Sequence, residues 1–224
     1  MAYFNVDDAY PEAIVRSLRK GFLKEETYNA LKACTNLSEF KQVLEDTDYG
    51  PYIAQEASPI EIAILKKKCK EKLTKELEHI AAQAYQPLGA FLQIMLHGYQ
   101  IENVVGFIEG IKNDAPLQDL LEGVDPLGYF PELKNIRTVD GDDYAGLYQN
   151  VLVDIPIGSY FRKFIDDLAL VQAASADPSK KIDAKFISDN MKDFKGEKIK
   201  NLIKKIWLKS FHDFCQSSLN DTSA

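Results

Sequence analysis

Apolar positions recur along the chain at steps of three and four. Ile14, Val15, Leu18 and Phe22 share one helical face, and Leu37, Phe40, Val43 and Leu44 share another. Asn36 and Glu39 stand ahead of that second group at the spacing of a capping pair. Ser58, Pro59 and Glu61 read as a further helix start, with Ser58 accepting from first-turn amides and Pro59 at the first helical position. The helix predicted from Pro59 to Ala84 carries Ile62, Leu65, Cys69, Leu73, Leu77, Ile80 and Ala84 as its apolar stripe. Lys66, Lys67, Lys68, Lys70, Lys72 and Lys75 crowd its other faces, and Pro87 ends or kinks it. Helical texture continues through GAFLQIMLHGYQIENVVGFIEGI. The stretches NIRTVDGDDYAG and AASADPSKKIDAK read as loops. A last helix, 197–215, aligns Ile199, Leu202, Ile203, Ile206, Phe211 and Cys215, with Trp207 near the stripe. Sustained alternation of period two is missing, so the fold class expected is all-α.

The pattern repeats. At an offset of 90 positions Glu12, Val15, Leu31, Leu37 and Phe40 land on Glu102, Val105, Leu121, Leu127 and Phe130. At an offset of 108 positions Val43, Leu44, Asp46, Gly50 and Tyr52 land on Val151, Leu152, Asp154, Gly158 and Tyr160. Matches in chain order point to a duplicated helical unit, with extra residues in the second copy. The expected division is a first repeat over 1–98 and a second over 99–224, with an insertion near 131–150. The stretch VLEDTDYGPYI then reads as a turn. A helix ends near Asp46, Gly50 supplies permissive backbone for the exit, and Tyr52 packs the turn.

Composition narrows the classes of function. Hydrophobic residues make up 46% of the 224 positions and charged residues 27%, enough to bury a core. The net charge of −7 lacks the basic field of a general nucleic-acid binder, so no nucleic-acid partner is expected. Cys34, Cys69 and Cys215 are odd in number and far apart, which fits a reducing compartment. The N-terminus MAYFNVDDAY has neither the basic nor the apolar region of a signal peptide. The apolar run PLGAFLQIMLHGY is too short to span a bilayer.

Little in the chain points to chemistry. His79, His97 and His212 show no metal-ligand spacing. The Asp140–Asp143 stretch, DGDD, has its glycine misplaced for a calcium loop and Val151 where the twelfth-position Glu belongs. Gly106 and Gly110 form a small-residue pair that lets helices approach, with no phosphate loop before it. No catalytic residue, cofactor site or metal site is expected. The two lysine-rich helices, Lys66–Lys75 and Lys195–Lys209, read as bundle helices with solvated basic faces. The second also suits a membrane surface or a partner groove.

The segments YFNVDDAYPEAIVRSLRKGFL, TDYGPYI, EASPI, AYQPLGAFL, IENVV, DPLGYF, LYQNVLVDIPIGSYF and WLKSFHDFC stand in one order along almost the whole chain. In that order they resemble the V-type proton ATPase subunit d family, which has archaeal and bacterial relatives. The resemblance implies a funnel of three repeated helical units on the cytoplasmic face of a vacuolar or other endomembrane. It implies a peripheral, non-catalytic coupling protein, with the central shaft subunits and the proteolipid c-ring as partners and membrane contact only through the ring. A third repeat is expected to be absent here, because the chain ends after the second at SSLNDTSA. Two other classes stand beside this one: a helical-repeat scaffold that binds peptides or helices, and a helical enzyme whose site assembles only in three dimensions.

Overall fold

The structure, a computed structural model, describes residues 8–136, 155–175 and 196–219. Among the described residues all regular structure is helical. In chain order the helices are α1 (Ala9–Leu18), α2 (Glu25–Ala33), α3 (Leu37–Glu45), α4 (Gly50–Ile53), α5 (Ile62–Ala81), α6 (Leu88–Lys112), α7 (Leu117–Glu122), α8 (Gly158–Ser175) and α9 (Gly196–Phe214). Short 3-10 turns follow α7 at Pro126–Gly128 and Pro131–Asn135, and a π-helical turn, Cys215–Leu219, continues α9. Two compact units divide within α6, one reaching Gln93 and the other starting at Ile94.

In the first unit, α3 starts as its sequence predicts. Asn36 Oδ1 accepts from the Glu39 amide at 2.9 Å, and the Glu39 carboxylate accepts from the Thr35 amide at 2.8 Å. Those hydrogen bonds, the Thr35 amide's first, hold the Glu39 carboxyl below its ordinary pKa. The start expected at Ser58 does not form. Helix α5 begins at Ile62, and the cap residue Glu61 makes no side-chain cap bond. The reason is burial. Extended backbone at Glu61 lets Ile60, 3% exposed, enter the core. Burying an isoleucine is worth about 1.5–3 kcal/mol, against about 1 kcal/mol for a cap.

Helix α5 is also rotated from its predicted stripe. Leu65 is buried and Cys69 packs beside it, but Ile62 and Leu73 are exposed and Lys72 lies inside at 6% exposure. The inner row therefore runs Leu65, Cys69, Lys72 and Glu76, and the helix ends before Ala84. The core of this unit is Leu31, Leu44, Ile53, Ile60 and Leu65, with Phe40, Tyr49 and Tyr52 packed against it.

The second unit is built on α6, whose apolar residues ring the helix. Ile101, Val104, Val105 and Phe107 meet Phe130, Leu133, Ile136, Ile157, Phe161, Phe164, Ile199 and Ile203 in one continuous core. Of the small-residue pair in α6, only Gly110 serves close approach. A Cβ there would lie 2.1 Å from the Leu120 side chain of α7, while Gly106 faces open space. Of the expected loop NIRTVDGDDYAG, Asn135 closes the 3-10 turn Pro131–Asn135, and residues 137–146, the DGDD stretch among them, lie outside the described residues. Of AASADPSKKIDAK, residues 173–175 continue α8 and the rest lies outside as well.

Candidate functional site

The two turns that the repeat pairs have the same backbone bonds. Gly50 N–H donates to the Thr47 carbonyl at 2.9 Å, and Gly158 N–H donates to the Ile155 carbonyl at 2.9 Å. Tyr52 N–H donates to Tyr49 and Tyr160 N–H to Ile157, both at 3.0 Å. The first turn has an additional clasp, in which Thr47 Oγ1 donates to the Leu44 carbonyl at 2.6 Å and accepts from the Tyr49 amide. Gly50 does not supply a left-handed exit, because no described glycine has positive φ. It is needed for space instead. A Cβ would stand 2.3 Å from the Glu45 carbonyl oxygen, a backbone atom that cannot swing away.

Beside the first turn lies a cluster of charges. Lys72 pairs with Glu76 and holds its ammonium 5.0 Å from the centre of the Tyr49 ring. Burial pushes the Lys72 ammonium down, but Glu76, Tyr49 and Asp48 outweigh it and the net shift is upward. Burial raises the Tyr49 phenol, with Lys72 opposing. Lys41, 8% exposed, donates to the Glu56 carbonyl at 2.7 Å and pairs with Glu45 at 3.3 Å. Lys68 bridges Glu56 at 3.2 Å and Glu71 at 3.0 Å. Together Lys41 and Lys68 pin the irregular segment between α4 and α5. Lys68 and Lys72, expected on a solvated face, act with Lys41 as fasteners through long apolar stems and charged tips.

The second unit has three polar ties within a larger apolar core. His97 Nδ1 lies 2.8 Å from Tyr160 Oη, joining α6 to α8. Burial alone lowers the His97 pKa, and burial is the chief cause that raises that of Tyr160. Both groups are thus held neutral around pH 7, which suits a fastening better than proton transfer. Trp207 Nε1 donates to the Ile94 carbonyl at 2.7 Å, and its ring lies against Gly98, where a Cβ would be 2.9 Å away. Asn103 clasps the Asp125 backbone from both sides, accepting from its N–H at 3.0 Å and donating to its carbonyl at 2.9 Å. Asp125 Oδ1 then accepts from Leu127 N–H, and Gly128 packs on the Tyr99 carbonyl.

The other sequence candidates separate. His79 and His212 are exposed, and His212 lies 3.5 Å from Asp213. Among the described residues no three His, Cys, Asp or Glu side chains are grouped to hold a metal ion. The cysteines are free thiols. The ties made by Asn103 and Asp125 escaped sequence reasoning, and Tyr160 stands out in the sequence only as the offset partner of Tyr52. Asn103 left a faint trace, as an amide within the apolar run IENVV. Helix α9 packs as a bundle helix, with Ile199 and Ile203 buried and Leu208 exposed. Its Lys204 pairs with Glu102 of α6, while Lys205 and Lys209 line an open groove toward α8.

Comparison with known proteins matches these elements to a family. The ATP synthase (C/AC39) subunit family matches residues 11–224. A probable V-type proton ATPase subunit d of Oryza sativa subsp. japonica is 34% identical over 216 residues, covering 96% of this chain and 55% of the relative. The V-type proton ATPase subunit d of Dictyostelium discoideum is 32% identical over 213 residues, covering 95% and 53%. The Saccharomyces cerevisiae protein of the same name is 28% identical over 213 residues, covering 95% and 55%. The chain thus spans about half the length of these relatives. An all-helical chain matched nearly end to end in this way belongs to the ATP synthase (C/AC39) subunit family, alongside the V-type proton ATPase subunits d.

Proposed function

We propose that the chain serves a V-type proton-pumping ATPase as a non-catalytic coupling subunit, linking the central rotor shaft to the proteolipid c-ring. The observation that carries this reading is the likeness to V-type subunit d over 96% of the chain. The geometry agrees with it. The polar groups that meet inside each unit fasten helices together, and none of them forms a nucleophile–base pair. No described helix is long and apolar enough to cross a membrane, which fits a peripheral protein that meets the membrane only through the ring at its cytoplasmic face.

The stretches 1–98 and 99–224 also stand as copies of one helical repeat. The paired turns at Gly50 and Gly158 support this. A rigid-body fit of 12–40 onto 102–130 in an experimental structure should carry 47–53 onto 155–161. Different backbone paths there would remove the duplication.

For the pump role, the tagged chain is expressed in cells whose own subunit d has been removed, and its complexes are isolated. Shaft and ring subunits are expected among the recovered proteins. Recovery of neither would overturn the reading, and so would ATP hydrolysis by the purified chain that survives repurification.

A further inference from the structure

Between α8 and α9 lies an open groove of about 420 Å³. Its charges come in pairs one helical turn apart. Lys163 and Asp167 stand on the α8 wall, Lys205 and Lys209 on the α9 wall. Phe164 forms the floor at 2% exposure, with Leu202 and Ile206 half-buried beside it. Among the described residues these four charges make no ion pair, whereas Lys204 on the same helix is paired with Glu102. The groove therefore presents an apolar trough between two charged rims, on which positive charge predominates.

We propose that this groove docks an acidic amphipathic helix of a partner protein. Apolar side chains one turn apart would enter the trough, carboxylates on both flanks would face Lys163, Lys205 and Lys209, and one donor or cation would face Asp167. An anionic membrane fits less well. A bilayer offers a plane of phosphates to a concave surface and has no single cation to set against Asp167, as a helix has. Such docking requires only the groove, so its failure would leave the pump role untouched.

The test uses the whole chain and a fluorescent, helix-forming peptide of Leu and Glu with one Lys set to face Asp167. Anisotropy titration at physiological salt should show saturable binding. The double variant Lys205→Glu, Lys209→Glu should weaken it by about tenfold or more, with circular dichroism unchanged. A peptide with Lys in place of Glu should regain affinity for that variant. A scrambled peptide of the same composition should bind about tenfold more weakly than the amphipathic one. Equal binding of the scrambled peptide, or indifference to the double variant, would overturn the proposal. Lysine-dependent capture by phosphatidylserine vesicles without peptide binding would overturn it in favour of a membrane surface.

Discussion

The unit ending at Gln93 and the unit starting at Ile94 solve the same packing problem with different materials. Among the described residues the first gathers five buried apolar side chains in its core and completes them with the stems of Lys41 and Lys72. The second gathers sixteen, again among the described residues, and the buried polar residue beside them is the neutral Asn103. Charge inside the first unit is tolerated because each ammonium has a partner: Glu76 and the Tyr49 ring for Lys72, Glu45 and the Glu56 carbonyl for Lys41. The second unit has enough apolar surface to do without buried charges, and neutral hydrogen bonds from His97, Asn103 and Trp207 tie its helices and turns together. The difference teaches that near-identical turns do not impose identical cores. After Gly50 the helix stops at Ile53 and the chain runs irregularly to α5, whereas after Gly158 it continues unbroken to Ser175.

The sharpest break of this comparison is a cavity in each core. Phe161→Ala, at a side chain with no exposure, should cost about 3–5 kcal/mol, and Leu44→Ala about 2–3 kcal/mol, both read by denaturant unfolding. Equal losses would mean that the two cores carry similar weight. Next in size is Gly50→Val. The new side chain meets the Glu45 carbonyl, so a loss above about 2 kcal/mol is expected, while Gly106→Ala, facing open space, should be neutral or slightly stabilising. Tolerance at Gly50 would show that the first turn yields.

Lys72 separates stem from charge. Lys72→Ala should cost about 2 kcal/mol, and Lys72→Met less than about 1 kcal/mol because the thioether keeps the stem's volume. Equal costs would put the weight on the ammonium. The smallest effect expected is a pH dependence in the second unit. His97 is depressed from its ordinary value of 6.5, so its neutral form is favoured in the fold. Below that value the unfolded chain takes up the proton first, and stability falls as pH drops toward the folded pKa. Thermal unfolding between pH 7 and pH 5 should therefore decline less in His97→Gln than in the parent chain. Parallel declines would remove His97 as a source of acid sensitivity.

Local sequence determined much of this protein by itself. The three- and four-residue period is a property of the helix, so the all-α class was legible, and so was the Asn36–Glu39 cap, whose partners lie within one turn. The turn at Thr47–Ile53 could be placed from its offset partner, although the reason for Gly50 could not, because the Glu45 carbonyl crowds that position only once the chain has bent. Tertiary structure decided the rest. A cap at Ser58 lost to the burial of Ile60, and the stripe of α5 turned so that the Lys72 ammonium lies against the Tyr49 ring. His97 meets Tyr160 across 63 positions, Trp207 meets the Ile94 carbonyl across 113, and the groove joins side chains of α8 and α9. No local period encodes such meetings. They follow from which helix faces are pressed together when the cores exclude water, and that choice is made over the whole unit at once.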